Sequence, residues 1–533
     1  LLVWEGKTMS TASTNETTAG LDATTPRRTV LKGAGGLALG SVGLGGRRRV
    51  QAQAATPAAT PAAEAKRPNI LFILADNTGY GDLGCYGGGG LRGAPTPRID
   101  QLAAEGLRLT QHLVEPACTP SRAALMTARY SIRSGLSLVL IEGSPFTLPA
   151  SEITLARVLH DVGYATAIFG KWHLGSAPES QPQFQGFDEY YGIPPGDTWD
   201  AFLAVIQSRK TNPPGNPLDK GPYMGEATWE QPLQQVKPYT EQVRRDVDWE
   251  LVDRGVEFMQ RQHAAGTPFF LYLPISRTHF PNLPSAKFAD ASRIGQFGDS
   301  LMEGDAVVGA MLDALTELGL EEETIVVFAS DNGPDGPGAR AFGGDMPDMG
   351  TPGPFRGALG DVSEGSLRTP AIVRWPGRIA PGSSNAMVSI MDWFPTLARF
   401  CGGAMPTDRP IDGIDQTALL LGEQPAGARD SLVTFVGPAL LAARWQQWRM
   451  YFADVAPARS GVSGGELLGG LGLSAAPMNG YPQVFNIESD PREERNVAEQ
   501  YDWVSAPLLQ VVADYQETLK DHPNPPAPNI TRF

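Results

Sequence analysis

Residues 69–77 read NILFILADN. Ile70 to Ala75 are apolar without a break, and the run stops at Asp76-Asn77. A short apolar run bounded by turn formers predicts a strand buried on both faces. The pattern recurs. ATAIFG (165–170) is followed by Lys171, Trp172 and His173. PFFLYLPI (268–275) is followed by Ser276, Arg277, Thr278 and His279, and TIVVFAS (324–330) by Asp331 and Asn332. Helical spacing lies between these runs: PRIDQLAAEGLRL (97–109), EITLARVLHDVG (152–163) and DSLMEGDAVVGAMLDALTELG (299–319). Apolar strands alternating with helices predict an α/β fold, a mostly parallel sheet sandwiched by helices.

The rest of the chain reads differently. Segments 194–240 and 333–355 are rich in Pro, Gly and polar residues and predict long loops on the ligand side. Beyond about 425 short strands and turns take over, including QVFNI (483–487), which predicts a smaller C-terminal α+β subdomain. The expected division is 68–425 for the main domain and 426–533 for the subdomain. Residues 55–67, ATPAATPAAEAKR, form an Ala/Pro linker. Before it, TTPRRTVLKGAGGLALGSVGLGG (24–46) and the small-residue stretch AQA (52–54) make 1–54 similar to a bacterial twin-arginine export signal. The expected location is periplasmic or secreted, with the twin-arginine (Tat) export machinery as partner. No stretch reaches the roughly 20 apolar residues of a stable membrane span.

The formal net charge is −15. Residues 1–54 hold seven Lys/Arg against three Asp/Glu, so the remainder carries −19. An acidic body excludes the basic footprint of a nucleic-acid binder. Cysteines at 85, 118 and 401 are too few and too scattered for a disulfide framework, and no CxxC or HExxH zinc spacing occurs.

The chemistry falls at the strand ends. In open α/β sheets the site lies outside the carboxyl ends of the strands. Four strands here end in titratable or metal-capable residues, with Asp-Asn twice and His twice. One Asp-Asn pair is ordinary turn chemistry. Two pairs offer the oxygen donors that hard divalent cations such as Ca²⁺ or Mg²⁺ select. Cys118 sits in ACTPSRAALMTARY (117–130), where Pro120 suits the first turn of a helix. Helix N–H groups and Arg122 would favour an anion there. The thiol itself could be a nucleophile, a buried filler or the precursor of another group.

CTPSRAALMTARY (118–130) resembles the first signature of the type I sulfatases, and GYATAIFGKWHLG (163–175) the second. RPNILFILADNTGYGDLGCYG (67–87), FASDNGP (328–334), TPAIVRWPG (369–377), MDWFPTLA (391–398) and VFNIESDPREERNVA (484–498) are similar to further family segments, in the family's order. The resemblance implies an alkaline-phosphatase-like fold with a large mixed, mostly parallel sheet. It implies sulfate ester hydrolysis by formylglycine (3-oxoalanine), an aldehyde made from Cys118 by the formylglycine-generating enzyme. The hydrated aldehyde attacks sulfur through one hydroxyl. Deprotonation of the other hydroxyl re-forms the aldehyde and expels sulfate, an exit that serine lacks. By position, Asp76, Asn77, Asp331 and Asn332 would hold a divalent cation, Ca²⁺ or else Mg²⁺. Arg122 would hold the modified residue. Lys171 and His279 would bind sulfate and serve the leaving oxygen, and His173 would anchor the diol and act as base.

Two positions depart from the family pattern. Asn77 stands where an aspartate is usual, which removes one negative charge. Leu359, in FRGALGDVSEGSLRTP (355–370), occupies a slot where a sulfate-contacting lysine is often found. Arg340, Arg356 or another residue would have to replace it. These departures keep open a phosphodiester or phosphonate monoester hydrolase on the same site, and a catalytically silent anion- or glycan-binding homologue. The substrate would be a small-molecule or carbohydrate sulfate ester, with Trp199 and Trp229 as candidate stacking platforms or as loop packing.

Overall fold

The computed structural model describes residues 67–140, 144–193, 223–335, 350–457, 473–477 and 482–527. The export-type region, nearly all of the linker, Trp199 and Arg340 lie outside the described residues.

Ten strands form one mixed sheet: β1 Asn69–Ala75, β2 Leu107–Leu113, β3 Ala165–Phe169, β4 Glu189–Gly192, β5 Tyr223–Thr228, β6 Gln234–Pro238, β7 Phe269–Ile275, β8 Thr324–Ser330, β9 Arg368–Arg374 and β10 Gly382–Ser389. Their order is β10-β2-β9-β8-β1-β7-β3-β4-β5-β6. The four strands read from the sequence, β8, β1, β7 and β3, are adjacent and parallel, so their carboxyl ends share one edge. β9 runs antiparallel to both β8 and β2, and β5 and β6 extend the other side antiparallel.

Among the described residues the main helices are α1 Pro97–Glu105, α2 Cys118–Thr127, α3 Leu155–Asp161, α4 Glu241–Ala265, α5 Gly295–Glu317, α6 Trp393–Cys401 and α7 Ser505–Thr518. Every residue of β1, β7 and β8 is buried. Strand periodicity divides them between two cores. Ile70, Phe72 and Leu74 join α2, α3 and α6 on one face. Leu71, Ile73 and Ala75 join α1, α4 and α5 on the other. This three-layer arrangement explains why the central strands read as unbroken apolar runs. α4 begins at Thr240, whose side chain accepts from the Val243 amide, and ends at the left-handed Gly266.

Two segments differ from expectation. The helix predicted over 97–109 ends at Glu105, and β2 starts at Leu107. Gly106 between them approaches the Val373 carbonyl so closely that a Cβ would lie 2.5 Å from its oxygen. Within the predicted loop 194–240, residues 223–228 and 234–238 form β5 and β6. These lie at the sheet margin, where mixed polar composition suffices because β6 is largely exposed.

The C-terminal region adds β11 Ser431–Val436, β12 Ala439–Trp445, β13 Trp448–Tyr451, β14 Ala453–Pro457, β15 Leu473–Pro477 and β16 Gln483–Asn486. β11-β12-β13-β16 form a separate antiparallel sheet, and β14 pairs with β15. A buried ionic cluster ties the small sheet to the main one. Glu364 meets Arg368 (2.5 Å), Arg444 (2.6 Å) and Arg449 (2.7 Å). Glu493 meets Arg356 (2.7 Å), Arg449 (3.5 Å) and the Tyr451 hydroxyl (2.5 Å). Burial opposes the Glu364 charge, but Arg368, Arg444 and Arg449 outweigh it and hold the carboxyl well below its ordinary range.

Candidate active site

Each predicted site residue sits at the carboxyl edge of β8-β1-β7-β3 or at the start of α2. Cys118 opens α2 and is buried. Its thiol donates toward Asp76 Oδ1 at 3.4 Å and lies 3.8 Å from Asn77 Oδ1. Lys171 Nζ donates to Asp76 Oδ2 at 2.7 Å. Arg122 reaches back from α2. Its Nε and Nη2 donate to Asp331 Oδ2 at 3.0 and 2.8 Å, and its Nη1 donates to the Lys171 carbonyl at 2.8 Å. One guanidinium thus fixes the ends of β8 and β3 relative to α2. Asp76, Cys118 and His279 present side-chain atoms within 4.8 Å of one another. The His279 ring stacks on Phe280, and its Nδ1 donates to the Phe280 carbonyl at 2.5 Å.

Hydroxyl groups stitch these strand ends together. Thr278 Oγ1 donates to the Asp76 carbonyl at 2.7 Å and pairs with Thr78 Oγ1 at 2.8 Å. Ser330 Oγ accepts from the Thr78 amide at 3.0 Å and donates to the Asn332 carbonyl at 3.0 Å. Sequence reasoning misses Thr78, Thr278, Ser330 and Asp335. All lie within three residues of a predicted ligand or histidine or between two of them, which is the available signal. Asn77 and His173 hold left-handed backbone, with φ of 64° and 63°. Such conformations in non-glycine residues concentrate at functional sites.

The electrostatics assign protonation. Burial, followed by Asp76, pushes the Cys118 thiol well above its ordinary value, so residue 118 is a thiol and not a thiolate. Burial alone would raise Asp76. Lys171, His279 and Arg122 outweigh it and hold that carboxyl below the ordinary range. Burial and the neighbouring Asp76 push Asp331 up to about 6, against Arg122. Burial would also neutralise Lys171, but Asp76 prevails and keeps the ammonium charged. Burial, reinforced by Lys171, holds His173 well below its ordinary value, so the imidazole is neutral. His173 Nε2 faces the Leu140 carbonyl at 2.9 Å, which places the proton on Nε2. Nδ1 is then a bare acceptor, buried and without a partner among the described residues.

The oxygen donors fit a hard cation. Asn332 Nδ2 lies 2.6 Å from Asn77 Oδ1, while Asn332 Oδ1 is buried with no hydrogen-bond partner among the described residues. Asn332 Nδ2 also donates to the Gly333 carbonyl at 2.8 Å, which fixes the amide and leaves Oδ1 as its unused acceptor. Asp76 and Asp331 supply two carboxyl groups to the same corner, and Asp331 Oδ1 accepts from the Asn77 backbone N–H at 3.3 Å. An orphaned oxygen among carboxylates and amides is the donor chemistry of Ca²⁺ or Mg²⁺.

The two departures have visible surroundings. Leu359 is buried in a small apolar cluster with Ala117 and Val139. Its amide donates to the Pro334 carbonyl at 2.8 Å, and the next amide, of Gly360, donates to the Pro116 carbonyl at 2.9 Å. The 356–366 loop thereby bridges the residues flanking Cys118 and those after Asp331-Asn332. Arg356, the described candidate for the missing lysine's place, is paired with Glu493 at 2.7 Å. Trp229 stacks on His160 at 3.9 Å with Arg157 over its ring at 4.6 Å. Its amide donates to the Asp188 carbonyl, beside the amino-terminal half of β3, away from the carboxyl edge. Trp229 is loop packing. His112 is likewise structural, bonded to Thr369 and Trp393 in the core.

Comparison with known proteins places the chain in a family. The sulfatase family model matches residues 68–403. Arylsulfatase A of Homo sapiens is 36% identical over 470 residues, covering 85% of this chain and 88% of that protein. Steryl-sulfatase of Mus musculus is 35% identical, covering 83% of this chain and 80% of the relative. Among solved structures, the PsFucS1 sulfatase from Pseudoalteromonas sp. superposes with a TM-score of 0.79 at 31% identity, covering 87% of this chain and 92% of that one. The phosphonate monoester hydrolase of Agrobacterium radiobacter, at TM-score 0.54 and 19% identity over 86% of this chain and 96% of that one, shares the fold. The chain belongs to the sulfatase family, the enzymes that hydrolyse sulfuric esters.

Proposed function

We propose that this chain cleaves sulfate monoesters with a formylglycine derived from Cys118, beside a Ca²⁺ held by Asp76, Asn77, Asp331 and Asn332. The observation that carries the reading is Cys118 Sγ, buried at the start of α2, at 3.4 Å from Asp76 Oδ1. A buried neutral thiol is a poor nucleophile, so the position makes chemical sense as the precursor of another group. When present, the hydrated aldehyde supplies an oxygen nucleophile and a second hydroxyl whose deprotonation releases the transferred anion. The cation supplies positive charge that polarises the ester.

The protein's own residues do the rest. Lys171, charged and pinned by Asp76, presents its remaining N–H donors to the anion. His279, with Nδ1 committed to Phe280, serves the leaving oxygen through Nε2. Neutral His173 accepts a hydroxyl proton at Nδ1, with its tautomer fixed by Leu140. Arg122 holds Asp331 in place and carries charge into the wall behind residue 118. Among the described residues Leu359 leaves that lysine position without a cation, which favours a singly charged anion such as a sulfate monoester over a phosphate monoester dianion. We further propose export through the twin-arginine route after modification by a formylglycine-generating enzyme, on the strength of Arg27-Arg28 and the apolar, Gly-rich run behind them.

The test is turnover of a chromogenic aryl sulfate and an aryl phosphonate monoester by the full chain from its own host, with and without chelator. Aryl sulfate hydrolysis that disappears in Cys118→Ala and on chelation is expected. Faster phosphonate turnover would replace the sulfate reading. Hydrolysis of neither, with Ca²⁺ bound, would favour the silent anion binder.

A further inference from the structure

Asn77 can offer a cation either an oxygen or an NH2 group, and only the oxygen binds. What decides between them lies behind it. Asp335 Oδ1 accepts from Asn77 Nδ2 at 2.6 Å, in a buried bond between residues 258 positions apart in sequence. With Nδ2 taken, Asn77 Oδ1 faces the other way, 2.6 Å from the Asn332 amide and 3.8 Å from Cys118 Sγ. Asp335 Oδ2 meanwhile accepts the Phe280 amide at 3.2 Å, next to His279. Both oxygens of Asp335 act as acceptors, and its exposure is 4%. A carboxylate meets that demand with two atoms. A carboxamide meets it with one and turns an NH2 group toward the other donor.

We propose that Asp335 is a positioning residue for the cation site. It fixes the Asn77 amide with its oxygen toward the ion, through a bond that only an acceptor at position 335 can make. Asn77 and Asp335 are thus a polarity-exchanged pair. Asn77→Asp alone sets two carboxyl groups 2.6 Å apart and removes the N–H donor between them. Exchanging both residues satisfies every group again. The amide placed at position 335 donates to the carboxylate placed at position 77, and the oxygen of that amide accepts from the Phe280 N–H. This inference rests on the cation reading above.

Ca²⁺ titration calorimetry on the chelator-stripped full chain tests it, with circular dichroism and thermal melting of each metal-free variant. Asp335→Asn is expected to weaken Ca²⁺ binding about 10–100-fold, the usual cost of losing a partner behind a metal ligand. Asn77→Asp should bind no more tightly than wild type despite its added charge. The double exchange should return to within about threefold of wild type, or better, a non-additivity that independent sites do not give. Wild-type affinity in Asp335→Asn overturns the inference. So does a double exchange that fails to fold, or binds no better than Asp335→Asn. A wild-type chain that takes up no Ca²⁺ overturns the cation reading and this inference together, and the wild-type trace tells the two failures apart.

Discussion

Replacing Lys171 by methionine removes an ammonium while keeping the side chain's length. Lys171 Nζ and Asp76 Oδ2 lie 2.7 Å apart and both residues are buried. At an effective dielectric near 20 that separation is worth about 6 kcal/mol of attraction. The desolvation of both ions offsets much of it. What the variant loses is the neutralisation of a buried carboxylate, typically about 3–5 kcal/mol. Arg122 Nη2, 3.6 Å from the same oxygen, covers part of the deficit. The expected loss is therefore at the lower end, about 3 kcal/mol, read by chemical denaturation of the metal-free full chain. In the proposed reaction the same ammonium faces the anion, so kcat on an aryl sulfate should fall roughly 10²–10³-fold. Lys171→Arg separates the two effects. It keeps a charge for Asp76, so most of the stability returns. Its planar fork cannot occupy the point position of Nζ at a 2% exposed site, so activity stays low. Near-wild-type turnover by Lys171→Met, or full recovery in Lys171→Arg, would refute the reasoning.

Burial pushes the Glu115 carboxyl up to about 8, so the folded chain keeps a proton that the unfolded chain releases above about 4.5. Stability tied to Glu115 is fully present below about pH 4.5 and declines toward pH 8, by at most about 1.4 kcal/mol per unit. Glu115→Gln should flatten that slope, and parallel stability–pH curves for the two proteins would contradict it. Glu364→Gln leaves Arg368, Arg444 and Arg449 without their shared carboxylate and should cost about 3–5 kcal/mol, with little salt dependence because the cluster is buried. A thermal melt within a degree of wild type would count against the cluster as the tie between the two sheets.

Much of this architecture was legible because both faces of the central sheet are covered. The runs Ile70–Ala75 and Ile325–Ala329 are apolar without a break and cannot be confused with amphipathic helices of that length. Their polar ends followed from the same segments. Strand β2 was hidden because LRLTQHL continues the apolar spacing of α1, and only the crowded glycine at 106 separates them. β5 and β6 were hidden because marginal strands need little burial. The Asp335 contact was out of reach, since its partner lies 258 positions away and Asn-Gly-Pro-Asp reads as an ordinary turn. The Glu364 and Glu493 cluster is hidden for the same reason. Arg368 is local to Glu364, but Arg356, Arg444 and Arg449 reach their carboxylates only through the tertiary fold.

The most direct test of the account is the mass of the tryptic peptide Leu109–Arg122 from protein made in its own host. Conversion of the Cys118 side chain from CH2SH to CHO replaces two hydrogens and a sulfur by one oxygen. The account predicts that lighter peptide in active protein, reactive toward a hydrazide probe and absent from Cys118→Ala. Active enzyme whose peptide carries an intact thiol throughout would contradict it.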